Sequence, residues 1–267
     1  MDNHDTLLFK GTAYYYSRFR RGYPSFFFDY LLGTFNLDRH SRVLDLGTGT
    51  GQIAIPIAKA VKEVVAIDPD VEMLEEGKKA AGEKKINNIT WIKATAENLP
   101  EKIGSFDLTT MGSSFHWMEQ DKVLRSIYSI TNINGGIAIV SNTTSIYRNV
   151  NNEEWKNVVR RVIEKYLGER RRAGNSYYKK PAGRFEDIIK RSEFSNLQIY
   201  DQEYTQEWTI DQILGYLSST SFASRRLFGD RIESFEEDLR AELLKLNRSG
   251  VFTEKTKLEA LIAWKTQ

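Results

Sequence analysis

The stretch VLDLGTGTGQ, Val43 to Gln52, constrains this chain more than any other. Val43 to Leu46 reads as a short buried strand, and the glycines turn it into a helix predicted from about Gln52 to Val61. Gly47, Gly49 and Gly51 fall at alternate positions, where glycine lets a backbone adopt left-handed conformations and approach a ligand closely. Pro56 lies near the first turn of the predicted helix, where a missing N–H is tolerated.

The following segments keep the same rhythm. Strands are predicted at EVVAID (Glu63 to Asp68), ITWIKAT, FDLTTMGSS (Phe106 to Ser114) and GIAIVSN (Gly136 to Asn142). Helical spacing marks Val71 to Lys85 and Gln120 to Thr131, the second ending at NINGG. Strands alternating with helices predict an α/β fold, a Rossmann-like parallel sheet with helices on both faces. Beyond Asn142 the rhythm changes to a long helix with apolar positions at Trp155, Val158, Val159, Val162, Ile163 and Tyr166, a loop NSYYKKPAG and a second helix RFEDIIKRSEF. NLQIYDQEYTQEW alternates like a strand, Thr209 is the expected N-cap of TIDQILGYLSS, and Ser234 with Glu237 makes a capping-box start. Leu258 to Trp264 closes the chain as an antiparallel last strand.

Composition excludes several chemistries. The chain has 267 residues and no cysteine, so thiolate metal sites and cysteine nucleophiles are ruled out. Its three histidines, His4, His40 and His116, are widely spaced, and no metal site is expected. No membrane-spanning run or secretory leader is legible, which makes the cytoplasm the expected location. The net charge of +2 shows no global bias toward nucleic acid. Arg160 to Arg191 nevertheless holds eleven basic residues against four acidic ones, either a solvated face or a site for an anionic partner.

The glycine spacing, GxGxG, departs from the GxGxxG of dinucleotide-binding folds. Asp45, two residues before Gly47, would also stand beside a pyrophosphate and disfavour it. The motif resembles the first motif of class I S-adenosylmethionine-dependent methyltransferases. Asp68, ending the second strand, matches the acidic residue that binds both ribose hydroxyls in that family, and IDPDVEML continues the match through Pro69 and Met73, the latter expected near the adenine. ATAENLP, Ala94 to Pro100, resembles the adenine-edge motif, with Thr95 where the family usually has Asp, so that the backbone at Ala96 and Glu97 is the expected reader. FDLTTMGSSFHWM resembles the fourth-strand motif, whose end lies near the transferred methyl. The resemblance covers roughly Leu37 to Asn142 and rests on four motifs in order.

The resemblance implies S-adenosyl-L-methionine as cofactor, held by Tyr14, Arg20, Asp45, Gly47, Thr48, Gly49, Gly51, Asp68, Pro69, Met73, Ala96, Glu97 and Ser113. The flanks YYYSRFRRGYP and EWTIDQILGYLSSTS look like small-molecule methyltransferases of the trans-aconitate methyltransferase-like group, with Arg20, Tyr23 and Pro24 matching and Arg21 in place of a proline. The expected acceptor is therefore a small molecule, an acidic one being compatible with Arg20, in a pocket of Phe115, His116, Trp117, Tyr177 and Tyr178, with His116 the candidate proton acceptor. Two alternatives remain: an RNA methyltransferase using the basic 160–191 region with Tyr177 and Tyr178 as stacking platforms, and a non-catalytic binder of the same cofactor. The expected organisation is a lid or helical segment over 1–36, a cofactor-binding core over 37–142, a helical cap over 143–195 and a completion of the sheet over 196–267.

Overall fold

The computed structural model describes residues 9–142, 153–173, 176–177 and 183–266. In chain order the elements are α1 (Ala13–Phe19), α2 (Ser25–Thr34), β1 (Arg42–Leu46), α3 (Ala54–Ala58), β2 (Glu63–Asp68), α4 (Val71–Glu83), β3 (Ile89–Lys93), β4 (Phe106–Gly112), α5 (Gln120–Ile130) and β5 (Thr131–Asn142). Then follow α6 (Glu154–Leu167), a short pair β6 (Arg172–Ala173) and β7 (Ser176–Tyr177), α7 (Phe185–Lys190), β8 (Ser195–Thr209), α8 (Ile210–Ser218), α9 (Ile232–Leu246) and β9 (Val251–Trp264). The main sheet has seven strands in the order β3-β2-β1-β4-β5-β9-β8. The first five are parallel, and β9 joins β5 antiparallel, with Lys265 N–H donating to Gly135 and Asn134 N–H to Lys265.

The chain divides into two compact units, one of residues 21–142, 181–201 and 259–267, the other of 1–20, 143–180 and 202–258. In the first, alternation along the strands decides burial. Leu44, Leu46, Val65 and Ile67 share a core with Val123, Leu124 and Ile127 of α5 and Ile188 and Ile189 of α7. Their neighbours Val43, Val64 and Ala66 are buried on the opposite face. In the second unit, Trp155, Val159, Ile163, Trp208, Leu217, Phe235, Leu239 and Phe252 form a separate apolar core.

Several predicted elements shift. The glycine turn uses more chain than expected, and α3 is only Ala54–Ala58. The helix predicted over Gln120 to Thr131 is present as α5, ending just before NINGG, but NINGG itself lies inside β5, which starts at Thr131 and not at Gly136. Thr131 pairs with Phe106 and Gly136 with Leu108, so residues 132–135 bulge opposite Asp107. The bulge is held by Asn132, whose amide donates to Asp107 Oδ1 at 2.7 Å, and by Asn134 at φ 65°. The Thr209 cap is present as a full capping box with Gln212. The Ser234 capping box is absent: α9 begins earlier, at Ile232, because Phe235 stacks on Phe228 at 4.1 Å and draws the preceding turns into register. The last strand begins at Val251, seven residues before the predicted start, because Glu254 and Thr256 occupy buried positions of the alternation and hide it.

Candidate functional site

The glycine loop leaves β1 with Gly47, Gly49 and Gly51 all at positive φ (65°, 55° and 84°). Two of these positions also lack room for a side chain: a Cβ on Gly47 would lie 2.5 Å from Ser114 Cβ, and one on Gly51 2.8 Å from the Trp91 ring. Thr48 N–H donates to the Ile67 carbonyl at 3.0 Å, tying the loop to the end of β2.

Asp45 and Asp68 have different roles. Asp45 is 1% exposed, and each of its oxygens accepts a threonine hydroxyl: Thr48 Oγ1 donates to Oδ2 at 2.6 Å and Thr110 Oγ1 to Oδ1 at 2.7 Å. Burial pushes its carboxyl above the usual carboxylate range, while the Thr48, Thr110 and Ala54 hydrogen bonds pull the other way. Asp45 thus braces the loop against β4. Asp68 ends β2 and accepts Gly49 N–H on Oδ2 at 2.8 Å and Asp70 N–H on Oδ1 at 2.9 Å. Burial raises its carboxyl from 3.8 to about 6, against the two backbone N–H bonds. A carboxylate has about four lone-pair sites, so roughly two remain for a ligand's hydroxyls. Asp68 does not cap the next helix; Asp70 does, accepting Glu72 and Met73 N–H. A pair of buried acids at this point suits a cationic ligand with vicinal hydroxyls and disfavours a pyrophosphate.

The other expected contacts divide. Pro69 is exposed just beyond Asp68, whereas Met73 is 4% exposed and belongs to the packed face of α4. Ala96 is buried in the sheet core, and the Glu97 carboxylate accepts Glu119 N–H at the start of α5 at 2.9 Å. Thr95 accepts a hydrogen bond from the Asn98 amide at 3.1 Å. Past β4, Ser113 is exposed and takes φ 52°, its N–H held by the Val140 carbonyl at 2.8 Å. Residues 115–117 form one 3-10 turn. Phe115, expected in the pocket wall, is instead core: it is 1% exposed and meets Phe185 edge-on at 5.2 Å. His116 is half-buried against Trp117, with ring centroids 4.5 Å apart, and Trp117 is 39% exposed.

Tyr14 and Arg20 belong to the other unit. Tyr14 is exposed beneath the Arg18 guanidinium, and Arg20 lies over the rings of Tyr16 and Tyr216, 4.9 Å from each, donating to the Ser219 carbonyl. Phe19 of the same segment packs onto Gly215, so α1 is docked on α8. The Tyr177 backbone pairs with Arg172 in β6–β7, and Tyr178 lies outside the described residues.

One residue of this region was missed from sequence. Tyr23 places its hydroxyl 3.4 Å from Ser113 Oγ, and a Cβ on Gly112 would lie 2.8 Å from that hydroxyl. Its signal was the GYP tripeptide before α2, read as a flank match and not as part of the site.

Parallel strands, a glycine turn after β1, an acid ending β2 and a loop after β4 define a Rossmann-like α/β fold. Residues 43–135 match the family described as a methyltransferase domain. The chain is 30% identical over 154 residues to an uncharacterized methyltransferase of Schizosaccharomyces pombe, covering 57% of each. It spans about half the length of the curated relatives it matches. Among solved structures it resembles the YcgJ protein of Bacillus subtilis (18% identity, TM-score 0.56, 91% of this chain and 100% of that one). It also resembles a protein from Anaeromyxobacter dehalogenans that is assigned as a type II methyltransferase (21% identity, TM-score 0.57, 92% and 96%). Among the described residues no helix is long and apolar enough to cross a membrane.

Proposed function

We propose that this protein is an S-adenosylmethionine-dependent methyltransferase acting on a small molecule, similar to the trans-aconitate methyltransferase-like group. The observation that carries the reading is Asp68: a buried carboxylate at the end of β2 that organises Gly49 and keeps lone pairs for ribose hydroxyls. Gly47, Thr48, Gly49 and Gly51 shape the backbone around the cofactor, and Pro69, Ala96 and Glu97 stand at its adenine end. When bound, the cofactor supplies a methyl group already activated on a sulfonium. The protein then has to exclude water and hold the acceptor in line. His116 and Trp117, on the turn after β4, wall the acceptor side, and the imidazole takes a proton where the acceptor is a neutral hydroxyl or amine.

Pairing of three basic residues among those described in this region favours a small acceptor over RNA. Arg191 makes two hydrogen bonds to Asp121, at 3.0 and 2.8 Å, Arg184 pairs with Glu186, and Lys165 pairs with Asp238. These charges are partly neutralised within the protein, which weakens their pull on phosphates.

The test uses methyl-labelled S-adenosylmethionine with a deproteinised small-molecule extract and, separately, with total RNA. Label is expected in the small-molecule fraction, and His116→Ala is expected to slow its appearance with S-adenosylhomocysteine affinity unchanged. Label entering RNA alone, or tighter binding of a nicotinamide dinucleotide than of S-adenosylhomocysteine, would overturn the reading.

A further inference from the structure

Ser113 stands at a costly place. A non-glycine residue at φ 52° holds a left-handed backbone that L side chains disfavour. Such strain persists only where the surroundings over-determine it, and it gathers at functional positions. Here both sides are pinned: Ser113 N–H donates to Val140 at 2.8 Å, and Ser114 Oγ donates to Leu46 at 2.7 Å. Glycine would remove the strain, yet the chain keeps a side chain there and leaves it exposed.

The Ser113 hydroxyl meets the Tyr23 hydroxyl at 3.4 Å. Tyr23 is held from two directions. Its ring packs on Phe27, with centroids 5.6 Å apart, and its hydroxyl lies over Gly112, where any Cβ would collide with it. The preceding residue, Gly22, has the Gln52 carbonyl of the glycine loop as its nearest neighbour, 4.0 Å from an ideal Cβ. The Gly22–Tyr23 segment therefore runs from the end of the glycine loop to the end of β4. Strands β1 and β4 are adjacent, and the order of connection reverses between them. Ligands of open α/β sheets bind outside the carboxyl ends of the strands at that reversal.

We propose that Tyr23 and Ser113 form a hydroxyl pair that positions the acceptor atom at the methyl-donating end of the cofactor. This rests on the reading of the protein as a methyltransferase. Both are positioning residues: each hydroxyl can accept or donate a hydrogen bond at one point, and neither is asked to break a bond.

Sinefungin tests the pair directly, because it carries an amine where the cofactor carries its methyl, whereas S-adenosylhomocysteine carries nothing there. Calorimetry measures both ligands on the wild type, Tyr23→Phe and Ser113→Gly. The phenylalanine keeps the packing on Phe27, and the glycine relieves the strained backbone while removing the hydroxyl. The wild type is expected to prefer sinefungin. Each variant is expected to lose at least fivefold of that preference, and Tyr23→Phe, which lies outside the expected cofactor contacts, is expected to keep its S-adenosylhomocysteine affinity within twofold. A preference absent in the wild type, unchanged in both variants, or lost in Tyr23→Phe together with S-adenosylhomocysteine affinity overturns the proposal. Wild type that binds neither ligand overturns the methyltransferase reading itself, a result distinct from the other three.

Discussion

Replacing Asp68 by asparagine probes the cofactor reading most directly. The carboxylate spends one lone pair of each oxygen on a backbone N–H, which leaves about two for the ligand hydroxyls of the proposed reading. Asparagine retains one such oxygen and turns an N–H donor toward the other position. Losing hydrogen bonds to a charged group costs about 1.5–3 kcal/mol, so the dissociation constant for S-adenosylhomocysteine should rise roughly 10- to 150-fold. The pH dependence adds a second signature. Burial raises the Asp68 carboxyl from 3.8 to about 6, so the fold prefers the neutral form. Below pH 3.8 that preference costs nothing; the penalty grows as pH rises from 3.8 to about 6 and is then complete, on the order of 3 kcal/mol at about 1.4 kcal/mol per pH unit. Binding runs the opposite way, because the hydroxyls require the anion. Wild-type affinity should be flat above about pH 6 and weaken toward tenfold per pH unit below it, while Asp68→Asn shows a flat profile at a weaker level. Titration calorimetry from pH 5 to 8 would measure both, with circular dichroism confirming the fold at each pH. Wild-type affinity that ignores pH across this range, or an asparagine variant that binds as tightly as the wild type, would refute the assignment of Asp68.

Other perturbations test the scaffold and the partner. Thr110→Val removes the donor to buried Asp45 Oδ1 and should destabilise by about 1–3 kcal/mol in urea unfolding. Lys156 is 4% exposed and pairs with fully buried Glu254, which also accepts from Trp208 at 2.7 Å and Gln206 at 2.6 Å; Lys156→Met should cost roughly 3–5 kcal/mol, part of it recovered in Lys156→Met/Glu254→Gln. Gly215→Ala would set a Cβ 2.2 Å from the Phe19 ring and should lower stability by about 1–3 kcal/mol, relieved when Phe19 is also reduced to alanine. Filter binding at physiological salt should show no RNA association tighter than nonspecific; a tight, sequence-dependent complex would promote the RNA alternative.

Local signals carried the sheet and the glycine loop. Strand β1, its glycine turn, Asp68 and the alternation through β5 are legible because each is specified by neighbours in the chain: apolar runs for strands, glycines for positive φ, helical spacing for α4 and α5. The division of labour between the two buried acids was not legible. Asp45 and Asp68 look alike in sequence, and only the fold buries Asp45 to 1% exposure between Thr48 and Thr110, the latter 65 residues away on β4, which makes it a brace while Asp68 keeps 9% exposure. The same limit hid Phe115, whose burial depends on Phe185, and Tyr23, which gains meaning only from Gly112 and Ser113. It also hid the start of β9, because Glu254 reads as a solvent position until Lys156 and Trp208 are brought to it. Sequence determined which segments could form strands, helices and a tight glycine turn, since those are local preferences of backbone and side chain. Tertiary structure decided which polar groups are satisfied internally and which keep capacity for a ligand, since that depends on partners supplied from distant parts of the chain.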